Sequence, residues 1–138
     1  MADALTYLRN RLETGGFNEM MGMRILHLSK GYAEVELPAS DNNLNALGNV
    51  HGGVIFALCD AAAGTAAASY GRVGVTLNSN IHYLRPGKGN QSLLAKKREI
   101  KVGRTTAVFE VFVTSSDGTE VADATFTMFY IGPMEELL

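Results

Sequence analysis

The sequence predicts an α+β domain in which an antiparallel sheet wraps one long central helix. Residues 54–68 are apolar and alanine-rich, without proline, and their only polar side chains are Cys59, Asp60 and Thr65. That composition favours helix. The segments around it alternate between apolar and polar residues, as half-buried strands do. Ser116-Asp117-Gly118 lies between two such runs, which marks a hairpin and hence antiparallel pairing.

Taken in order, the chain opens with a short helix. Leu5, Leu8 and Leu12 share one of its faces, and Gly15-Gly16 ends it. Met23 to Leu28 and Tyr32 to Leu37 read as two strands joined at Ser29-Lys30-Gly31. In the second, Ala33, Val35 and Leu37 are expected inside, with Tyr32, Glu34 and Glu36 wet, and Pro38 stops it. A polar, Asn-rich loop over 40–49 leads into the central helix. Beyond Gly71, Val75, Leu77, Ile81 and Tyr83 alternate with Thr76, Asn78, Asn80 and His82, and Arg85-Pro86-Gly87 turns the chain. A polar strand follows over about 91–102, then a turn at Gly103-Arg104 and strands over 105–114 and 119–131. The whole of 1–138 is expected to be one domain, with 1–16 its N-terminal helix.

Asp60 is the residue that the central helix must explain. A helix apolar on all sides is expected to be buried, and a carboxylate there is costly unless paired or used. Gly53, Ala57, Asp60, Gly64 and Ala67 follow the spacing that keeps residues on one face, so Asp60 sits among small side chains. Ile55 and Leu58 point the other way, toward the presumed sheet. This pattern suits close packing against another helix as well as a functional carboxylate with room beside it. Gly52 and Gly53 fall where the helix starts. Backbone N–H groups there lack intrahelical partners and, with the helix dipole, can hold an anion or a polarised carbonyl. His51 suits a capping or loop-fixing role.

Gly52 and Asp60 are eight residues apart, roughly 12 Å along a helix. One chain cannot bring both to one reacting carbon. Two antiparallel helices across a twofold axis can, which predicts a homodimer with two shared sites.

Composition narrows the classes. In 138 residues, 46% are hydrophobic and 19% charged, which argues against disorder. A formal net charge of −2 gives no strong field for nucleic acid. The single cysteine excludes an internal disulfide and fits a reducing, cytoplasmic compartment. The N-terminal segment is amphipathic and mixed in charge, unlike an export signal, and the apolar run around Asp60 is too short and interrupted for a membrane span. Seven of the twelve Lys and Arg residues lie within 85–104, where Glu99 is the one acid. That stretch suits either a phosphorylated ligand or a solvated edge.

The element order, together with Asn45, Gly48, His51-Gly52-Gly53, Asp60 and the strand NSNIHYLRP over 78–86, resembles the hot-dog fold acyl-CoA thioesterases. The likeness is to the PaaI-like group, which includes the thioesterase superfamily member 2 proteins, and it covers about 17–131. The resemblance implies hydrolysis of an acyl- or aryl-CoA to the free acid and CoA. Asp60 would be the base or nucleophile and the Gly52 N–H would polarise the carbonyl. Asn45 would position the loop and the carbonyl or water, and the Thr76 hydroxyl would hold the nucleophilic water. Asn45 and Gly52 would come from one subunit, Asp60 and Thr76 from the other. A tetramer of two dimers is implied, with no cofactor, coenzyme A being part of the substrate. His51 and Gly53 would sit at the substrate, and Lys88, Arg98 and Arg104 are candidates for the CoA phosphates.

Other readings fit less well. A hot-dog acyl-CoA hydratase wants a histidine beside the carboxylate, and none adjoins Asp60 in sequence. A non-enzymatic acyl-CoA sensor has no need of a buried carboxylate. Cys59 points about 100° away from Asp60 around the helix. His27, His51 and His82 lack metal-ligand spacing.

Overall fold

A computed structural model describes residues 2–137; Met1 and Leu138, the ends of the expected domain, lie outside the described residues. The elements are α1 (Ala2–Glu13), α2 (Gly16–Met21), β1 (Arg24–Ser29), β2 (Tyr32–Leu37), α3 (Gly52–Ala68), β3 (Arg72–Tyr83), β4 (Leu93–Val102), β5 (Thr106–Ser115), β6 (Glu120–Pro133) and α4 (Met134–Leu137). The six strands form one antiparallel sheet in the order β1-β2-β4-β5-β6-β3, and α3 packs across one of its faces. This is the hot-dog arrangement. The short helices α2 and α4, and a 3₁₀ turn at Asp41–Asn43, were not evident from periodicity, because each is a single turn or little more.

The alternation in the strands sets the core. Val35 and Leu37 of β2, Phe109 and Val111 of β5, and Phe126 and Met128 of β6 point inward and are buried. Ile55, Leu58, Cys59 and Ala62 of α3 meet them. Alanine on this side lets the helix lie close to the sheet. Phe56 adds an aromatic contact, its ring centroid 5.5 Å from that of Phe126. The helix stops where the Ser69 hydroxyl donates to the Ala66 carbonyl at 2.6 Å and Gly71 takes a φ of 81°.

Three expectations need correction. The central helix is not buried all round. Its sheet side is, but Gly53 is exposed and Ala57, Asp60, Ala61, Gly64 and Ala68 are only half-buried within the chain. Glu34 is buried rather than wet: the Tyr32 hydroxyl donates to it and Lys96 and His27 flank it on the outer face, and the Tyr32 bond holds its carboxyl below the usual range. The apolar alternation of β3 breaks at a bulge between Thr76 and Asn78. Val75 and Leu77 are therefore exposed, Leu77 at 64%, while Thr76 turns inward opposite Met128. Beyond the bulge, Ile81 and Tyr83 return to the inner face.

Candidate active site

The start of α3 is built by its own sequence. His51 is the N-cap residue, and its Nδ1 accepts from the Gly53 N–H at 2.9 Å. Its carbonyl accepts from Val54 and Ile55 at 2.9 and 3.1 Å. The Gly52 N–H has no protein acceptor among the described residues. Of the two glycines expected to offer donors, then, only Gly52 does, and Gly53 is taken by the cap. The Gly52 carbonyl accepts from the Tyr83 hydroxyl at 2.8 Å.

The preceding loop is folded by Asn45. Its Oδ1 accepts from the Leu47 and Asn49 N–H groups at 2.9 and 3.1 Å, and its own N–H donates to the Asn49 carbonyl at 2.7 Å. The loop is tied down where the His51 N–H donates to Asn43 at 2.8 Å and the Val50 N–H to Gly87 at 2.6 Å. Asn45 thus does shape the loop, and its amide nitrogen is left over. Asn45, Gly52, Tyr83, Leu84, Arg85 and Pro86 line a cavity of about 340 Å³ beside the open N–H.

Asp60 stands two turns further along α3 on the half-open face. The Thr76 hydroxyl donates to its Oδ1 at 2.6 Å, so these two site residues meet within one chain. Beyond Asp60 on the same side lies a mainly apolar pocket of about 300 Å³ lined by Leu8, Leu12, Gly64, Ala68, Val73 and Met134, with Arg11 also on its wall. A Cβ added at Gly64 would meet nothing within 4 Å. Cys59 is fully buried, and burial, with the Asp60 and Asp123 charges, pushes its thiol up to about 12, which leaves no thiolate for attack.

The basic residues of 85–104 do not gather into one patch. Lys88 lies in the loop after β3, bridged to Asn49, and Arg85 lines the cavity while its guanidinium donates to the Glu120 carbonyl at 3.2 Å and pairs with the Glu120 carboxylate at 3.8 Å. Arg98 faces the outer side of the sheet, paired with Glu110 at 2.7 Å. Arg104 is in the β4–β5 turn, where its carbonyl accepts from Arg72. Lys97 points into the protein, its Nζ 4.7 Å from the Phe109 ring, and burial lowers its pKa. Strand alternation sends neighbours to opposite faces, so a run of charge in sequence is divided in space. His82 lies on the outer face opposite Asp123, and His27 faces Glu34 at the sheet edge. No group of His, Cys, Asp and Glu suited to a metal ion occurs among the described residues.

The sequence pattern of the thioesterase superfamily matches residues 47–122, which carry the helix start, Asp60 and Thr76. The chain belongs to the thioesterase superfamily. The thioesterase is thus a thioester hydrolase with a hot-dog fold. It is 29% identical over 102 residues to the acyl-coenzyme A thioesterase PaaI of Escherichia coli, across 74% of this chain and 73% of that one. The PaaI structure superposes with a TM-score of 0.89 over 96% of both chains at 26% identity. Smu.793 of Streptococcus mutans UA159, solved bound to acetyl CoA, is 43% identical, with a TM-score of 0.77 over 80% of this thioesterase and 90% of that chain. A hypothetical thioesterase of Streptococcus pneumoniae TIGR4, solved with coenzyme A, is 40% identical, with a TM-score of 0.77 over 80% of this chain and 90% of that one. That protein has also been solved with alanine replacing an aspartate and, separately, a threonine sixteen positions later. Asp60 and Thr76 of the thioesterase are likewise sixteen apart.

Proposed function

We propose that the protein hydrolyses acyl-CoA thioesters at a site that two copies complete together. One observation carries this reading. The open Gly52 N–H and the Thr76-bonded Asp60 lie on one helix about 12 Å apart, too far for one thioester group. A second copy with its α3 antiparallel would set its Gly52 beside this Asp60. Two features support such a partner. Strand β3 is a sheet edge twelve residues long that pairs with β6 alone, and it shows Val75 and Leu77 to solvent. The Asp60 face of α3 is likewise half-open.

In this arrangement the Gly52 N–H, at the positive end of the helix, donates to the thioester oxygen and stabilises the negative charge that grows on it. Asp60 takes a proton from water as the water oxygen attacks the carbonyl carbon. The C–S bond then breaks, the sulfur leaves as the CoA thiolate and takes back the proton held by Asp60, which restores the carboxylate as the acid is released. Thr76 fixes the carboxylate through one oxygen and leaves the other for water. The apolar pocket past Gly64 suits a hydrophobic acyl or aryl group, and Arg85 and Lys88 beside the Gly52 cavity suit the CoA phosphates. Coenzyme A enters as part of the substrate. Release of free thiol from a panel of acyl- and aryl-CoAs tests the reading. Turnover is expected for hydrophobic acyl groups, and no release from any ester overturns it.

A further inference from the structure

We propose that Tyr83 is a positioning residue for catalysis: its hydroxyl holds the Gly52 carbonyl and so keeps the neighbouring Gly52 N–H aimed at the thioester oxygen. The inference rests on the reading of Gly52 as the carbonyl donor.

Two adjacent glycines make the least constrained backbone available, and they stand at a helix end, where peptides are least held. A donor that stabilises developing charge works only if it is already in place, since reorganising it during reaction costs rate. The first turn of α3 therefore needs fixing from outside. Its groups are held on every side but one. The His51 carbonyl accepts from Val54 and Ile55, the Gly53 N–H is capped by His51, and the Gly52 carbonyl accepts from Tyr83. The Gly52 carbonyl and the Gly53 N–H are the two ends of one peptide, so His51 and Tyr83 clamp that plane between them. What remains unbonded is the Gly52 N–H.

The two clamps differ in kind. His51 belongs to the same turn and moves with it. Tyr83 comes from the end of β3, thirty-one residues away, where it pairs with Ala122 of β6 and is anchored to the sheet. It ties the glycine peptides directly to a strand. Its ring also lies against Gly52: a Cβ there would stand 3.3 Å from the ring carbon that bears the hydroxyl, closer than a side chain normally packs. A side chain at 52 would therefore press on the Tyr83 ring, in a turn whose φ does not itself demand glycine.

Tyr83→Phe keeps the ring and removes the hydroxyl, with Tyr32→Phe at the far side of the sheet as the control. The expected result for Tyr83→Phe is a kcat lower by roughly fivefold to twentyfold, about what one hydrogen bond acting on a carbonyl donor confers, with KM within about twofold. The Gly53 amide, the other end of the clamped peptide, should exchange its hydrogen at least several-fold faster, while the melting temperature holds. In a Gly52→Ala background, where the ring is already displaced, Tyr83→Phe should add little further loss. An unchanged kcat with unchanged Gly53 exchange overturns the proposal. So does a rise in KM alone, which would make Tyr83 a wall of the cavity, or a full multiplicative loss on top of Gly52→Ala. If the wild type cleaves no acyl-CoA, the functional reading fails, and Gly53 exchange still decides whether Tyr83 holds the turn.

Discussion

Thr76 reaches Asp60 across sixteen residues, its hydroxyl 2.6 Å from the carboxylate, because a bulge turns it to the inner face of β3. Without the bulge, strict alternation would keep Thr76 with Asn78 and Asn80 on the outer face, and the carboxylate would lose this donor. Bulges near active sites commonly re-aim a side chain in this way.

Asp60→Asn retains the shape and the acceptor for Thr76 but removes the base. It should lower kcat by roughly 10²-fold or more while KM changes much less, as measured by thiol release at saturating acyl-CoA. Asp60 is half-buried and already bonded, so thermal unfolding should shift little. A variant that keeps full turnover would make Asp60 structural.

Thr76→Val removes the hydroxyl at nearly constant shape, and Thr76→Ser keeps it. A hydrogen bond to a charged group contributes about 1.5–3 kcal/mol. The valine variant should therefore lose at least about tenfold in kcat, and the serine variant should stay within a few-fold of the wild type. Equal losses in both would assign the role to the methyl group instead.

Mixing inactive Asp60→Ala protein with inactive Asn45→Ala protein should restore activity if the two residues serve one site from two chains. Random exchange leaves one intact site in each hybrid dimer, about a quarter of all sites at equal amounts. Exchange demonstrated by mass spectrometry with no recovered turnover would count against sharing. Leu77→Lys, on the exposed edge of β3, should push the assembly toward monomers in light scattering.

Arg85→Ala and Lys88→Ala should each raise KM for an acyl-CoA severalfold and flatten its salt dependence, because charge recognition of phosphate is screened. The same variants should treat a short thioester lacking the nucleotide as the wild type does. Arg98→Ala should leave KM unchanged, Arg98 being on the outer face of the sheet, paired with Glu110.

Asp123 and Glu110 stand diagonally across β5 and β6 on the outer face, and burial, then Glu110, raises the Asp123 carboxyl above its usual range. The fold therefore favours protonated Asp123. Stability present at acid pH is lost as pH rises through that raised value. Asp123→Asn removes the cost, so it should stabilise at pH 7 by up to about 1 kcal/mol, the scale of a cross-strand pair. The gain should vanish below about pH 3, where the native carboxyl is protonated too. Melting curves at the two pH values measure it.

The sequence alone determined the long helix, the six strands, the carboxylate at Asp60, the helix start at Gly52, and their separation along one axis. These follow from composition and period, which are properties of neighbours in the chain, and the rise of a helix turns residue count into distance. The tertiary structure decided the rest. It set Thr76 against Asp60 through a bulge, placed the Tyr83 hydroxyl on the Gly52 carbonyl, spent the Gly53 N–H on the His51 cap, and sent Arg98 and Arg104 away from Lys88. Those outcomes depend on cross-strand register and on which partner satisfies each polar group. Both are settled by packing between segments far apart in sequence, so no local pattern carries them.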